Sequence, residues 1–363
     1  MTDTDSIEAL NNAAQVWTTG HIDLMPWLTP TNLVAAKRAF LNGLRAAPQF
    51  EYPHLEASVL LQARQAVEWL DGIDVGPWGY VAREDLCSSI AAVEALITRD
   101  PDRITSASAA MFGRPDKQLL STLEDVARRE GPDSTQDCSE SAAAAAASLR
   151  RAVAQLTTEW TVSIEPIAAR IDVDSHRRLV RVRPDAEFTS DELRRLVVHE
   201  VGCHVQRAVN GGRQRLSFAA HGMGSYLDTE EGLAAWLEQR SGLSDAATLK
   251  RYALRFLAAH RCISIGWVEL IDELCEHTTP GEAFDIAARV KRGLVDTSVE
   301  GGWLKDHVYW SGLAAVSAKL SQDPSLLSLL LSGKFAISQL DAVNWAEEHG
   351  FVRRLETITE FNG

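Results

Sequence analysis

The stretch Thr189-Ser190-Asp191-Glu192-Leu193-Arg194-Arg195-Leu196-Val197-Val198-His199-Glu200-Val201-Gly202-Cys203-His204 decides how this 363-residue chain is read. Its first four residues make a capping-box pattern, with Thr189 as N-cap and Glu192 reaching back, and Leu193, Leu196, Val197 and Val201 then line one side of a helix. That helix also spends three positions on His199, Glu200 and His204. A buried polar group without a partner costs about 1–3 kcal/mol, and a buried charge costs more, so these three side chains need a common partner. A metal ion supplies one: neutral imidazoles ligate a borderline-soft cation such as Zn2+, and the adjacent carboxylate accepts a proton from water beside it.

The spacing is H-E-x-x-x-H, which sets the two imidazoles about 140° apart on a regular α-helix. A turn widened to i→i+5 bonding brings them together, so a π-bulge or distortion is predicted at 199–204, with Gly202 as the residue that lets the backbone adapt. On an undistorted helix His199 would converge with Cys203, the rival ligand set, and Glu200 with His204. A catalytic zinc site takes a third protein ligand and keeps one position open. Thr229-Glu230-Glu231-Gly232-Leu233-Ala234-Ala235-Trp236 offers one, with Thr229 expected to cap a new helix and both glutamates in its first turn. The helix dipole alone would also favour carboxylates there, and the residues themselves leave both readings open.

Working outward, apolar residues recur at helical spacing through 32–46, 56–71, 84–98, 117–129 and 140–158, and again through 190–209, 229–240, 245–276, 281–292, 303–320 and 338–348. The alanine run 142–147 reflects helix propensity. Between 161 and 183, Ile171-Asp172-Val173-Asp174 and Leu179-Val180-Arg181-Val182 flank a polar Asp-Ser-His-Arg turn as a hairpin would. The expected class is α+β, predominantly α-helical. The expected division is a helical N-terminal region, 1–160, packed on a catalytic domain, 161–363.

Composition narrows the function. A net charge of −14 repels phosphate backbones, and no basic stripe is interleaved with aromatics, so nucleic acid is not an expected partner. No apolar run approaches the ~20 residues of a membrane span, and the N-terminus lacks a secretion signal. The five cysteines are scattered without a CxxC pair, which fits a reducing compartment. A soluble, cytoplasmic protein without a membrane partner is expected.

H-E-V-G-C-H followed by T-E-E-G-L-A resembles the family of microtubule-associated tyrosine carboxypeptidases and their bacterial QEGLA-motif relatives. Arg289-Val290-Lys291-Arg292-Gly293, Asp296-Thr297-Ser298, Gly301-Gly302 and Lys305-Asp306-His307-Val308-Tyr309 resemble a further family block, and Ala47-Pro48-Gln49-Phe50-Glu51-Tyr52 is a weaker echo. The resemblance is strong over about 190–315. It implies a helical, zincin-like metallopeptidase core that removes a C-terminal residue. It also implies metal ligands at His199, His204 and Glu231, because the QEGLA branch has Gln where Glu230 stands, leaving Glu230 as a supporting or capping residue. Cys203, Gly211 and Trp303-Leu304 depart from the family pattern, so tyrosine preference and tubulin are not carried over.

On this reading the chain is a zinc-dependent carboxypeptidase acting on a peptide or protein tail, with Glu200 as general base to the zinc-bound water. Tyr309 is the expected donor to the oxyanion, with Tyr226 and His221 as alternatives. Arg292, then Arg213, would clamp the terminal carboxylate, Lys305 could hold it as a point charge, and Trp303 would line the side-chain pocket. The competing functions are a non-catalytic regulator stabilised by zinc and an endo- or aminopeptidase with the same core.

Overall fold

The computed structural model describes residues 3–129, 140–167, 169–224, 226–355 and 359–361. Among them helices dominate and strands are few and short, an α+β protein that is predominantly α, as expected. Two compact units form, each from separated segments: Met1–Ala14, Gly131–Thr248 and Gly312–Gly363 make the first, Gln15–Glu130 and Leu249–Ser311 the second. The expected 160/161 boundary falls inside the first unit.

In the first unit, the Ala142–Leu156 helix is capped by the Ser141 side chain. It buries Ala142, Ala145, Ala146, Leu149, Ala152 and Val153 in one stripe, the i, i+3, i+4, i+7 pattern of a core-facing helix. The stripe packs with Val162, Val180, Val182, Val197 and Val201. Five short strands are described: β1 (Glu140–Ser141), β2 (Thr161–Ile164), β3 (Ile171–Asp174), β4 (Leu179–Val182) and β5 (Glu187–Phe188). β3 and β4 pair antiparallel, with Val173 opposite Val180, which is the hairpin read from the sequence. Asp174 Oδ1 accepts from Arg177 N at 2.9 Å, and Arg178 takes the left-handed conformation that closes the turn. β2 joins β4 in parallel, giving the order β2-β4-β3, and β1 pairs with β5.

The capping box of Thr189 and Glu192 is present and starts a helix at Ser190. From Val197 to Val205 this helix runs as π-helix, then continues as α-helix from Gln206 to Gly211. The predicted widening at 199–204 is therefore present and longer than expected. Gly202 lies inside this run with a φ that is not positive, and a Cβ there would stand 3.3 Å from the Phe361 ring, so the missing side chain also makes room for a core aromatic.

The next helix, Tyr226–Arg240, begins three residues before Thr229, which corrects the expectation that Thr229 caps it. Thr229 Oγ1 instead accepts from Ile337 N at 2.8 Å. Gly232 lies against Gly312 of the Val308–Gln322 helix so closely that a Cβ on Gly232 would fall 2.1 Å from the Gly312 carbonyl carbon. Because the obstacle is backbone, it cannot rotate away. Gly232→Ala is expected to cost about 3 kcal/mol, the upper end for overpacking, in a denaturant titration; a loss under about 0.5 kcal/mol would mean that the two backbones part freely.

The second unit is built on the Pro77–Thr98, Pro101–Phe112 and Pro280–Val290 helices. The stretch expected as one helical region, 245–276, is two helices, Ala246–Arg261 and Trp267–Cys275. They separate at Gly266, where a Cβ would meet the Ser298 carbonyl oxygen at 2.1 Å. The Pro48–Tyr52 segment docks on the later family-like block: Phe50 N donates to Val295 O at 2.8 Å, Thr297 Oγ1 donates to Pro48 O at 2.7 Å, and Tyr52 Oη accepts from Gly293 N at 2.8 Å. Two segments almost 250 residues apart in sequence are thereby joined.

Candidate metal centre

All the groups of this centre lie in the first unit. The π-helical turn places His199 and His204 five residues apart on one face, with ring centroids 4.8 Å apart and planes nearly perpendicular. His199, Glu200 and His204 each present a ligand atom within 4.8 Å of the others, a group that could hold a metal ion. From the Tyr226–Arg240 helix, Glu231 brings Oε2 to 3.4 Å from His199 Nε2 and 3.8 Å from His204 Nε2. Nitrogen and oxygen ligands at about 2.0–2.2 Å from a tetrahedral cation stand about 3.4 Å apart, so these separations fit the edges of such a polyhedron. Both imidazoles are buried, as is Glu231, whereas Glu200 keeps part of its surface open.

Each imidazole is also held from behind. His199 Nδ1 lies 2.8 Å from Glu238 Oε1, and Arg195 Nη1 donates to that same oxygen at 2.6 Å. His204 Nδ1 lies 2.9 Å from Glu230 Oε1, which also accepts from Lys334 Nζ at 2.8 Å, while Arg207 pairs with Glu230 Oε2. Arg207 is itself fixed by the Leu330, Gly333 and Phe335 carbonyls. A carboxylate on Nδ1 fixes the tautomer that leaves Nε2 as donor to a cation, the usual support of a metal-bound histidine.

Behind the imidazoles, Glu238 is thus paired with Arg195, and Glu230 with Arg207 and Lys334, while Glu231 faces the two rings. Burial opposes charge on His199, but Glu231 and Glu238 outweigh it and raise its pKa to about 10, so its proton must leave before Nε2 can ligate. Burial raises the Glu200 carboxyl, an effect partly offset by His199 and His204. Glu230 stays well below the usual carboxylate range because Lys334, Arg207 and His204 overcome its burial. Cys203 shows nothing of a ligand: burial pushes its thiol up, Sγ lies 3.5 Å from the Glu230 carbonyl oxygen, and it packs with Leu233, Ala234 and Val316.

Of the other residues singled out from the sequence, Tyr226 and His221 belong to this unit. His221 stacks on His176 at 4.6 Å, and the Tyr226 ring lies 5.8 Å from Lys334 Nζ. Arg213 is exposed and donates to Asn210 Oδ1 and the Leu156 carbonyl. Tyr309, Arg292, Lys305 and Trp303 belong to the second unit. There Tyr309 stacks on Tyr252 at 5.3 Å, and Trp303 is 3% exposed, edge-on to Phe112. Sequence reasoning missed Glu238, Arg195, Arg207 and Lys334. Glu238 follows Glu231 by seven residues and Arg195 precedes His199 by four, spacings that share a helix face and could have pointed to both; Lys334 carried no such signal.

Fold and site together define a mainly helical α+β protein with a His/Glu group able to hold a metal ion. The chain belongs to the microtubule-associated tyrosine carboxypeptidase family, whose description matches residues 37–360. It is similar to human microtubule-associated tyrosine carboxypeptidase 1, 31% identical over 123 residues, which is 32% of this chain and 26% of the relative. The mouse counterpart is 31% identical over 126 residues, again covering 32% and 26%. The human putative tyrosine carboxypeptidase MATCAP2 is 27% identical over 181 residues, covering 45% of this chain and 34% of the relative. The chain thus spans about a quarter to a third of the length of the curated relatives it matches.

Proposed function

We propose that the chain is a zinc-dependent carboxypeptidase in which His199, His204 and Glu231 hold the metal and Glu200 is the general base. The observation that carries the reading is the convergence of two Nε2 atoms on Glu231 Oε2, with both Nδ1 atoms tied to carboxylates. Glu231 is taken as the ligand because its oxygen lies at coordination-edge distance from both imidazoles. Glu200 is taken as the base because it is the carboxylate beside them that keeps open surface. Bound zinc would supply Lewis acidity, lowering the pKa of water and polarising a carbonyl. Glu200 takes the proton of the attacking water and passes it to the leaving amine nitrogen. The packing of β3 against the His-bearing turn, together with the three-stranded sheet, fits a zincin-like core.

The remaining roles rest on chemistry. Tyr309 is proposed as hydrogen-bond donor to the developing oxyanion. Arg292 is the preferred contact for the terminal carboxylate, since the Arg213 guanidinium is already bonded to Asn210 and Leu156; Lys305 remains the point-charge alternative. Trp303 is proposed as a pocket wall, although its burial against Phe112 leaves little of it to meet a substrate. The relatives' names make a C-terminal tyrosine the first side chain to try.

The test is mass spectrometry of a peptide library incubated with zinc-loaded chain and with chelator-treated chain. Loss of one C-terminal residue in the zinc-loaded sample alone is expected. Unchanged spectra in both would favour a zinc-stabilised regulator, and internal or N-terminal cuts would replace carboxypeptidase by the corresponding peptidase.

A further inference from the structure

Lys291 of the second unit is 0% exposed, and among the described residues no carboxylate pairs with it. Its Nζ donates instead to backbone carbonyls: to Ile265 O and Val299 O at 2.7 Å each, to Gly301 O at 3.0 Å and, more weakly, to Cys262 O at 3.4 Å. An ammonium has three N–H donors, and the three nearest oxygens take them. Burial pulls its pKa down to about 8, which leaves it charged at neutral pH. Burial pushes the Cys262 thiol up to about 12, so that group supplies no counter-charge.

The backbone around the ammonium is arranged for a cation. Cys262 and Ile265 follow the Ala246–Arg261 helix, and Lys291 is the C-cap of the Pro280–Val290 helix, so the negative ends of two helices lie near the charge. Val299 and Gly301 belong to the turn that leads to Trp303. The same turn is tied down where Gly301 N donates to Cys262 O and Trp303 N to Val290 O, both at 2.7 Å. Buried carbonyl oxygens that converge on one point lose their hydration and face one another's partial charge; a cation at the centre offsets both, as in the carbonyl rings that hold potassium.

We propose that Lys291 is a positioning residue whose ammonium is the resident cation of this four-carbonyl cage, and that it thereby sets the 299–303 turn from which Trp303 and Lys305-Asp306-His307-Val308-Tyr309 follow. The cage stands on its own geometry. Its bearing on catalysis rests on the carboxypeptidase reading, which gives Trp303, Lys305 and Tyr309 contacts with substrate.

The test uses the full-length chain carrying Lys291→Met, Lys291→Gln or Lys291→Ala, with hydrogen exchange at the Gly301 and Trp303 amides read by mass spectrometry. Lys291→Met keeps nearly the same length without the charge or the donors, and it should speed that exchange at least about tenfold. Lys291→Ala leaves the cage empty. Ammonium or potassium chloride should therefore slow its exchange back toward the parent rate, whereas tetramethylammonium chloride at the same concentration, too large to enter, should not. Exchange in Lys291→Met at the parent rate, or an alanine variant that no cation distinguishes, would overturn the proposal. Should the alanine variant not fold, Lys291→Gln carries the test, because it keeps two donors but no charge: a rate between those of parent and Lys291→Met supports the cation, and the parent rate overturns it. A peptide's KM should also rise in Lys291→Ala and fall again on adding ammonium chloride. Exchange rescued without any change in KM would keep the cage and withdraw Trp303, Lys305 and Tyr309 from substrate contact. Absence of hydrolysis by the parent chain would sink the carboxypeptidase reading and leave the exchange result standing.

Discussion

Glu200→Gln is expected to reduce C-terminal hydrolysis by about 10²- to 10⁴-fold, the range by which a positioned general base accelerates proton transfer, while zinc content stays at the parent level. The substitution preserves shape and one acceptor oxygen but removes the basic lone pair. Structural damage is not expected, because Glu200 sits beside Glu231, whose like charge helps burial to raise its pKa, so a neutral amide there is better tolerated than the carboxylate. The fall should appear in kcat with little change in KM, as for an interaction made only in the transition state. The measurement is the rate of C-terminal residue release by mass spectrometry, with bound metal counted by atomic absorption. A variant that keeps its zinc and retains more than about a third of the parent rate would remove Glu200 from the mechanism.

Glu230→Ala should have the largest effect on stability, about 3–5 kcal/mol, because it leaves Arg207 and Lys334 buried opposite no anion. Both are held in place by other contacts: Arg207 is fully buried and bonded to three backbone carbonyls, and Lys334 is 6% exposed. Neither can retreat to water without breaking the packing around Leu330 and Phe335. The same change frees His204 Nδ1, so zinc affinity should fall about 10–100-fold, as when the partner of a ligating histidine is removed. Denaturant titration and competition with a chromophoric chelator read the two effects separately. Glu230→Gln should lie between alanine and the parent, keeping a hydrogen-bond acceptor but not the charge. A Glu230→Ala loss below about 1 kcal/mol would mean that water reaches the two cations.

Local patterns carried far in this chain. The capping box, the β3–β4 hairpin, the alanine-rich helix and the widened turn between the histidines were all legible, since each depends on residues within a few positions and on helical or strand period. H-E-x-x-x-H carried its own geometric contradiction, two imidazoles facing apart on a regular helix, and the π-helical run resolves it. Where reasoning went astray the missing information was long-range. Thr229 looked like a cap because it precedes two acidic residues, yet its hydroxyl serves Ile337; that Phe361 packs where a Gly202 side chain would stand left no trace in the local pattern.

What the amino-acid order determined by itself was the predominantly helical class, the start of the His-bearing helix, and the residue types of a group able to hold a metal ion. Only tertiary structure decided that Glu230 and Glu238 stand behind the imidazoles, that Arg195, Arg207 and Lys334 neutralise them, and that Gly232 is an interhelical contact. The physical reason is that buried charges choose partners by distance, and the 104 residues separating Glu230 from Lys334 carry no periodic trace of their 2.8 Å contact.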